Sequence, residues 1–213
     1  MAVVAKDIKV RPGMVPTTVP GMPVSTIEVP STQSVAGWWN FLQQLSIATG
    51  VVILRPSCID EMDKEGYLFN SDFLSEVYEV IDNRPMFIIS VIKGPIRSAM
   101  MMFPAISSLV LATPESTFGF PESTSDSITA PVNMAMKKRI NEQVLRRLML
   151  VGDTIDAAEA QRFGLVDYIG NETHLENEVA RMIYKNCSPQ TQYYMSKPDL
   201  LKAMMDEEEE EDK

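Results

Sequence analysis

From Val24 to Val29 apolar and polar residues alternate and β-branched residues dominate, which predicts a half-buried strand. The period then changes. Val35, Trp38, Trp39, Leu42 and Leu45 recur at helical spacing behind Ser and Thr cap candidates, which predicts a helix with both tryptophans in the core. Gly50 to Pro56 is a short, wholly apolar strand ended by proline, and residues 57–70 read as loop. Residues 71–83 open on Ser and Asp and place Phe73, Leu74, Val77, Val80 and Ile81 on one helical face. A second buried strand lies within residues 84–95. Apolar strands separated by helices imply βαβ units with right-handed crossovers, and so an α/β fold.

Further along, the pattern predicts a helix from Ser98 to about Ser107, a strand over residues 108–113, and a loop that ends at Glu122. Residues 133–152 read as one helical stretch with basic and apolar faces. A short helix follows, capped by Asp156 and ended by Gly164. Residues 171–186 form a last helix with a Thr/Glu capping pattern. Residues 1–23 carry four prolines and no periodicity, and read as an extended arm that lies on a neighbour or stays mobile. Residues 24–195 then make the domain. Residues 196–213 are a tail whose acidic run should be solvated and disordered.

Composition narrows the function classes. The chain has 213 residues, 45% hydrophobic and 23% charged, enough to bury a core. No apolar run reaches the 18 or so residues that span a bilayer, and the N-terminus lacks the apolar core of a secretory signal. The net charge of −10 argues against nucleic acid or an anionic membrane as partner. Cys58 and Cys187 are far apart, with no CxxC spacing, so free thiols in a reducing intracellular compartment are expected: cytoplasm, or the matrix of a mitochondrion or plastid. With His174 as the single histidine, a His-based metal site is not expected.

Several segments resemble one family, and they do so in order. "GDTIDAAEAQRFGLVD" resembles the "tG..i.A.eA...GLVd" segment of the crotonase (enoyl-CoA hydratase/isomerase) superfamily. "RPMFIISVIKGP" is similar to its "kP.iaav.Gp" strand, and "STFGFPE" to its "a.FG.PE". "VSTIEVPSTQSVAGWWNFLQQLS" and "VNMAMKKRINEQVLRRLMLVG" resemble its opening strand and helix and the helix before the "tG". The resemblance covers roughly residues 24–195. It implies a ββα spiral, here with a shortened C-terminal helical region, that forms a homotrimer, a hexamer or part of a larger assembly. It implies no cofactor, with a CoA thioester as the substrate.

In that family two backbone N–H groups form an oxyanion hole for the thioester oxygen. One such donor is worth about 10²–10³ in rate. The resemblance places these groups at Ser57, in "RPSCIDEM", and at Ala99, where the family has Gly-Gly. Met100 stands where another glycine usually lets the acyl group approach. Hydratases add two carboxylates that split a water. The first position is Met102 here, and the second is Glu122. Isomerases keep only the second, which is compatible with Met102 beside Glu122. Glu122 also has a plain reading, as a surface or helix-start residue. Ser98 resembles the serine of the distantly related Clp peptidases, but a serine hydrolase needs a base, and His174 lies in a late surface helix. Met100 to Met102 read as core filler. Lys137, Lys138, Arg139, Arg146 and Arg147 could touch CoA phosphates, although a solvated face is the preferred reading.

Two functions are carried forward. The first is a degenerate crotonase, a non-catalytic or weakly active scaffold subunit. The second is an acyl-thioester isomerase or lyase that uses Glu122 as its one acid/base.

Overall fold

Buried valine, isoleucine and leucine strands form the centre of the molecule, as the apolar runs require. The computed structural model describes residues 18–19, 22–30, 35–56, 71–83, 86–120 and 130–186. Six strands make the large sheet: β1 (Thr18–Val19), β2 (Met22–Glu28), β3 (Gly50–Arg55), β4 (Met86–Ile92), β6 (Leu109–Ala112) and β9 (Tyr168–Ile169), in that spatial order. β1 is antiparallel to β2, and every other pairing in this sheet is parallel. β1 and the start of β2 fall in the segment read from sequence as an arm.

Three short strands make a second sheet: β5 (Pro95–Arg97), β7 (Thr117–Gly119) and β8 (Thr154–Asp156). They were expected to be loop and helix entry. Runs of three residues are too short to show a period; β5 and β7 form because they continue β4 and β6 around a corner, and β8, which follows a helical turn, pairs antiparallel with β7. The chain thus repeats one path. β4 leads to β5 and then to α3 (Met102–Ile106), and β6 leads to β7 and later to α4 (Ala130–Arg139). This is the ββα spiral expected of the fold class. At Gly119 the sheets leave no room: an added Cβ would stand 2.5 Å from the Asp153 carbonyl oxygen and 3.0 Å from Thr154 Cα.

Alternation along the strands divides the core in two. Val52, Leu54, Ile88, Ile92 and Val110 face inward, onto α1 (Val35–Ile47), α2 (Ser71–Asp82), α3 and α4. Val51, Ile53, Ile89, Val91 and Leu111 face the other way, onto Leu175, Val179 and Ile183 of α7 (Glu172–Asn186). Trp38 of α1 anchors the inner core, edge-on to Phe41 and Phe73 at 5.7 Å from each. Trp39 does not join it. Its side chain is 53% exposed, because successive helical residues point about 100° apart and only one of the pair can face the sheet.

The stretch expected to be one helix over 133–152 is broken. α4 ends at Arg139, Asn141 caps α5 (Glu142–Arg146) by accepting from the Val144 N–H at 3.0 Å, and a π-helical turn (Arg147–Val151) runs to Gly152. Asp156 caps α6 (Ala157–Arg162) as expected, accepting from Glu159 N–H at 2.7 Å, and Gly164 follows it at φ +82°. The cap of α7 is Asn171, not the expected Thr/Glu pair: its side chain accepts from the His174 N–H at 2.9 Å.

Asp167 joins these layers. Its carboxylate accepts from the Val110 N–H at 2.6 Å and pairs with Arg139, whose guanidinium also donates to the Ser107 carbonyl at 2.8 Å. The Arg139 side chain is 13% exposed, so this arginine is an internal staple rather than part of a solvated face. Removing the carboxylate would strand the guanidinium and one strand N–H. Asp167→Ala should therefore lower stability by about 2–3 kcal/mol, below the figure for a fully buried pair because Asp167 is partly solvated. A urea unfolding midpoint measured against the wild type checks this.

Candidate active site at the corner between β4 and β5

Lys93 and Gly94 carry the chain from the large sheet into the small one. Gly94 adopts φ +87°, and an added Cβ there would meet nothing; its glycine serves the backbone conformation alone. Ser116 braces the corner. Its buried hydroxyl accepts from the Gly94 N–H at 3.3 Å and donates to the Ile92 carbonyl at 3.2 Å. The Thr113 N–H reaches the same carbonyl at 3.0 Å.

The turn after β5 is where the oxyanion-hole amide at Ala99 was expected. Arg97 is extended, at φ −136° and ψ 154°, and Ser98 then enters the left-handed region at φ +52°. Among the described residues no other non-glycine has positive φ. The turn therefore adopts, with a serine, the backbone conformation that glycine favours. Holding serine there costs on the order of 1 kcal/mol.

From this turn a 3₁₀ segment (Ser98–Met101) leads into α3. Ser98 is 5% exposed and Ala99 1%. Met100, Met101 and Met102 are buried in the inner core with Phe103, as core filler. Met102, expected at the first hydratase carboxylate position, is wholly enclosed. Ser57 and Glu122, the other two expected site residues, lie outside the described residues. His174 is exposed on α7, which covers the opposite face of the large sheet from the Ser98 turn, so the two do not form a serine–histidine pair.

A cavity of about 440 Å³ opens at the carboxyl ends of β2, β3 and β4, the edge where parallel sheets commonly take ligands. Pro30, Pro56 and Val91 form apolar wall, with Glu28, Arg55 and Lys93 at its margin. Ala99 and Met102 are not part of its lining. Both cations are engaged by α7. Arg55 donates to both Glu176 carboxylate oxygens, at 2.6 and 2.8 Å, and Lys93 reaches Glu172 at 3.2 Å. The hydrogen bonds from Arg55 hold the Glu176 carboxyl below its ordinary range, against the opposing effect of burial. The sequence reading missed this cluster; its one signal was an arginine ending a wholly apolar strand. The basic residues considered for CoA phosphates are largely paired with carboxylates: Lys138 with Asp82, Arg146 with Glu142, Arg147 with Asp153. Among the described residues no group of His, Cys, Asp or Glu is placed to hold a metal ion, and no helix is long and apolar enough to cross a membrane.

A parallel sheet that passes its strands around a corner into a second sheet, with a left-handed turn opening the helix behind it, is the architecture of the crotonase fold. The solved structure of an enoyl-CoA hydratase/carnithine racemase from Magnetospirillum magneticum superposes with a TM-score of 0.66 at 18% identity, covering 84% of this chain and 78% of that one. An enoyl-CoA hydrotase/isomerase family protein from Silicibacter pomeroyi gives 0.60 at 18% identity, over 88% of this chain and 97% of that one. The family model for enoyl-CoA hydratase/isomerase matches residues 59–212, and the chain belongs to that family. Among curated proteins it is 27% identical over 114 residues to the mitochondrial enoyl-CoA hydratase domain-containing protein 3 of Rattus norvegicus. That match covers 54% of this chain and 38% of the relative's length.

Two outcomes follow for this site. Ser98→Gly should leave stability unchanged or slightly raised, because relief of the left-handed serine offsets the glycine's greater chain entropy. Ser98→Val should cost about 2 kcal/mol, because a β-branched residue suits that region least. Thermal unfolding of the two variants distinguishes them. Glu176 titrates below its ordinary value in the folded chain, so its contribution is present above about pH 4.5 and is lost as pH falls through the depressed value. Acid unfolding of Glu176→Gln should lack that part of the pH slope.

Proposed function

We propose that this chain is a crotonase-fold subunit that retains the scaffold and has lost hydratase chemistry. Met102 carries the reading. It stands where the first water-splitting carboxylate would be, its thioether can neither activate nor orient a water, and it is packed against Phe103 and its methionine neighbours with no exposure. The replacement of Gly-Gly by Ser98–Ala99 and the packing of Met100 into the core work in the same direction, since side-chain atoms occupy space that an acyl group would need. In this role the domain of residues 24–195 serves as a scaffold within a homotrimer, a hexamer or a mixed assembly, with no cofactor. An organelle matrix suits it, in keeping with the mitochondrial relatives.

One observation favours a second reading. Ser98 keeps a left-handed backbone at a free-energy cost, which keeps the Ala99 amide in a turn of the kind an oxyanion hole uses. With an amide from Ser57 and the Glu122 carboxylate as the single acid/base, such a turn would support proton transfer next to a thioester, as in isomerases.

Thermal shift with a series of acyl-CoA thioesters separates the two. The scaffold reading expects no shift. A ligand present at 100 times its dissociation constant would stabilise the fold by about 2.7 kcal/mol, and a shift of that size would overturn the scaffold reading. In that case Glu122→Gln should abolish exchange of the acyl α-proton with deuterated water while leaving affinity nearly unchanged.

A further inference from the structure

The surface of α1 is unlike the rest of the chain. Charged residues make up 23% of the sequence, yet this 13-residue helix, "VAGWWNFLQQLSI", has none. Its solvent face is not inert. Trp39 is 53% exposed and Ile47 80%, and with the exposed Gln43 between them they fall at i, i+4 and i+8, in one row along the helix. A half-exposed tryptophan in a neutral, uncharged row has the composition of an interface centre, where tryptophan is enriched and charge is depleted.

The neighbouring helix supplies the opposite chemistry. α2, "SDFLSEVYEVID", presents Asp72, Glu76, Glu79 and Asp82 to solvent and carries no cation. Lys138 pairs with Asp82; among the described residues the other three carboxylates have no ion pair. The two helices are locked together beneath this surface by Trp38 packed edge-on against Phe73 at 5.7 Å. The apolar row and the acidic residues thus lie on the solvent faces of two neighbouring helices.

We propose that this surface docks a basic amphipathic segment of another protein, with apolar side chains on Trp39 and Ile47 and lysines or arginines against α2. The charge selects this occupant. A second copy of the chain would bring the same acidic helix and a net charge of −10, and an anionic membrane or a nucleic acid would meet the same carboxylates. The proposal is independent of whether catalysis survives at the Ser98 turn.

The test uses the full chain and a synthetic amphipathic helical peptide of leucine and lysine, with its leucine–glutamate counterpart as control, followed by calorimetry and tryptophan emission. The lysine peptide should bind, shift the emission to the blue, and weaken as salt is raised. Trp39→Ala with Ile47→Ala, and separately Glu76→Lys with Glu79→Lys, should each weaken it by about tenfold or more, with melting temperatures unchanged because all four positions are exposed. Four results would each overturn the proposal: no binding by the wild type, equal binding of the glutamate peptide, binding that neither pair of substitutions alters, or sedimentation showing that Trp39→Ala with Ile47→Ala dissociates a self-associated chain.

Discussion

A strand that leaves one sheet to enter another must turn sharply within the protein interior, and its backbone polar groups must still find partners. At the corner between β4 and β5 one hydroxyl meets that demand. Ser116 takes the Gly94 N–H and returns a hydrogen bond to the Ile92 carbonyl, while Gly94 supplies the positive φ that lets the chain change direction. The next three residues can then pair with β7, and everything downstream inherits the direction set there: the left-handed Ser98, the 3₁₀ start of the helix and the burial of three methionines. The site is therefore a product of the spiral's geometry as much as of its own side chains.

The same dependence on internal polar pairs holds elsewhere in the frame. Asp167 and Arg139 tie the sixth strand, the fourth helix and the end of the third together through hydrogen bonds that involve no substrate. Arg55 and Glu176 tie the carboxyl end of the large sheet to its outer helix in the same way. The frame is held by these internal pairs, and the enclosed Met102 adds apolar packing at the start of α3.

Much of this was legible in the chain, for identifiable reasons. The strands of the large sheet are apolar runs, and α2 and α6 carry clear caps or periodicity. The small sheet was not legible, because three residues cannot display alternation and two of its strands exist only through the corners that deliver them. The break at Ile140–Asn141 was hidden because basic and apolar residues continue the helical rhythm across it, and only Asn141, extended in backbone and capping the next helix with its side chain, interrupts it. The two adjacent tryptophans looked alike, yet the sheet could receive only one of them. At the site, the serine, alanine and methionines at positions 98–102 were readable. The left-handed turn was not, since nothing in a serine announces φ +52°.

The tight approach at Gly119 also bears on what the intact "FGFPE" segment means. With the Asp153 carbonyl oxygen only 2.5 Å from where a side chain would begin, any larger residue would push two strands apart. This glycine answers to packing density and would be retained in a molecule that had given up its reaction entirely. Its presence three residues before Glu122 therefore reflects steric necessity and carries no information about chemistry.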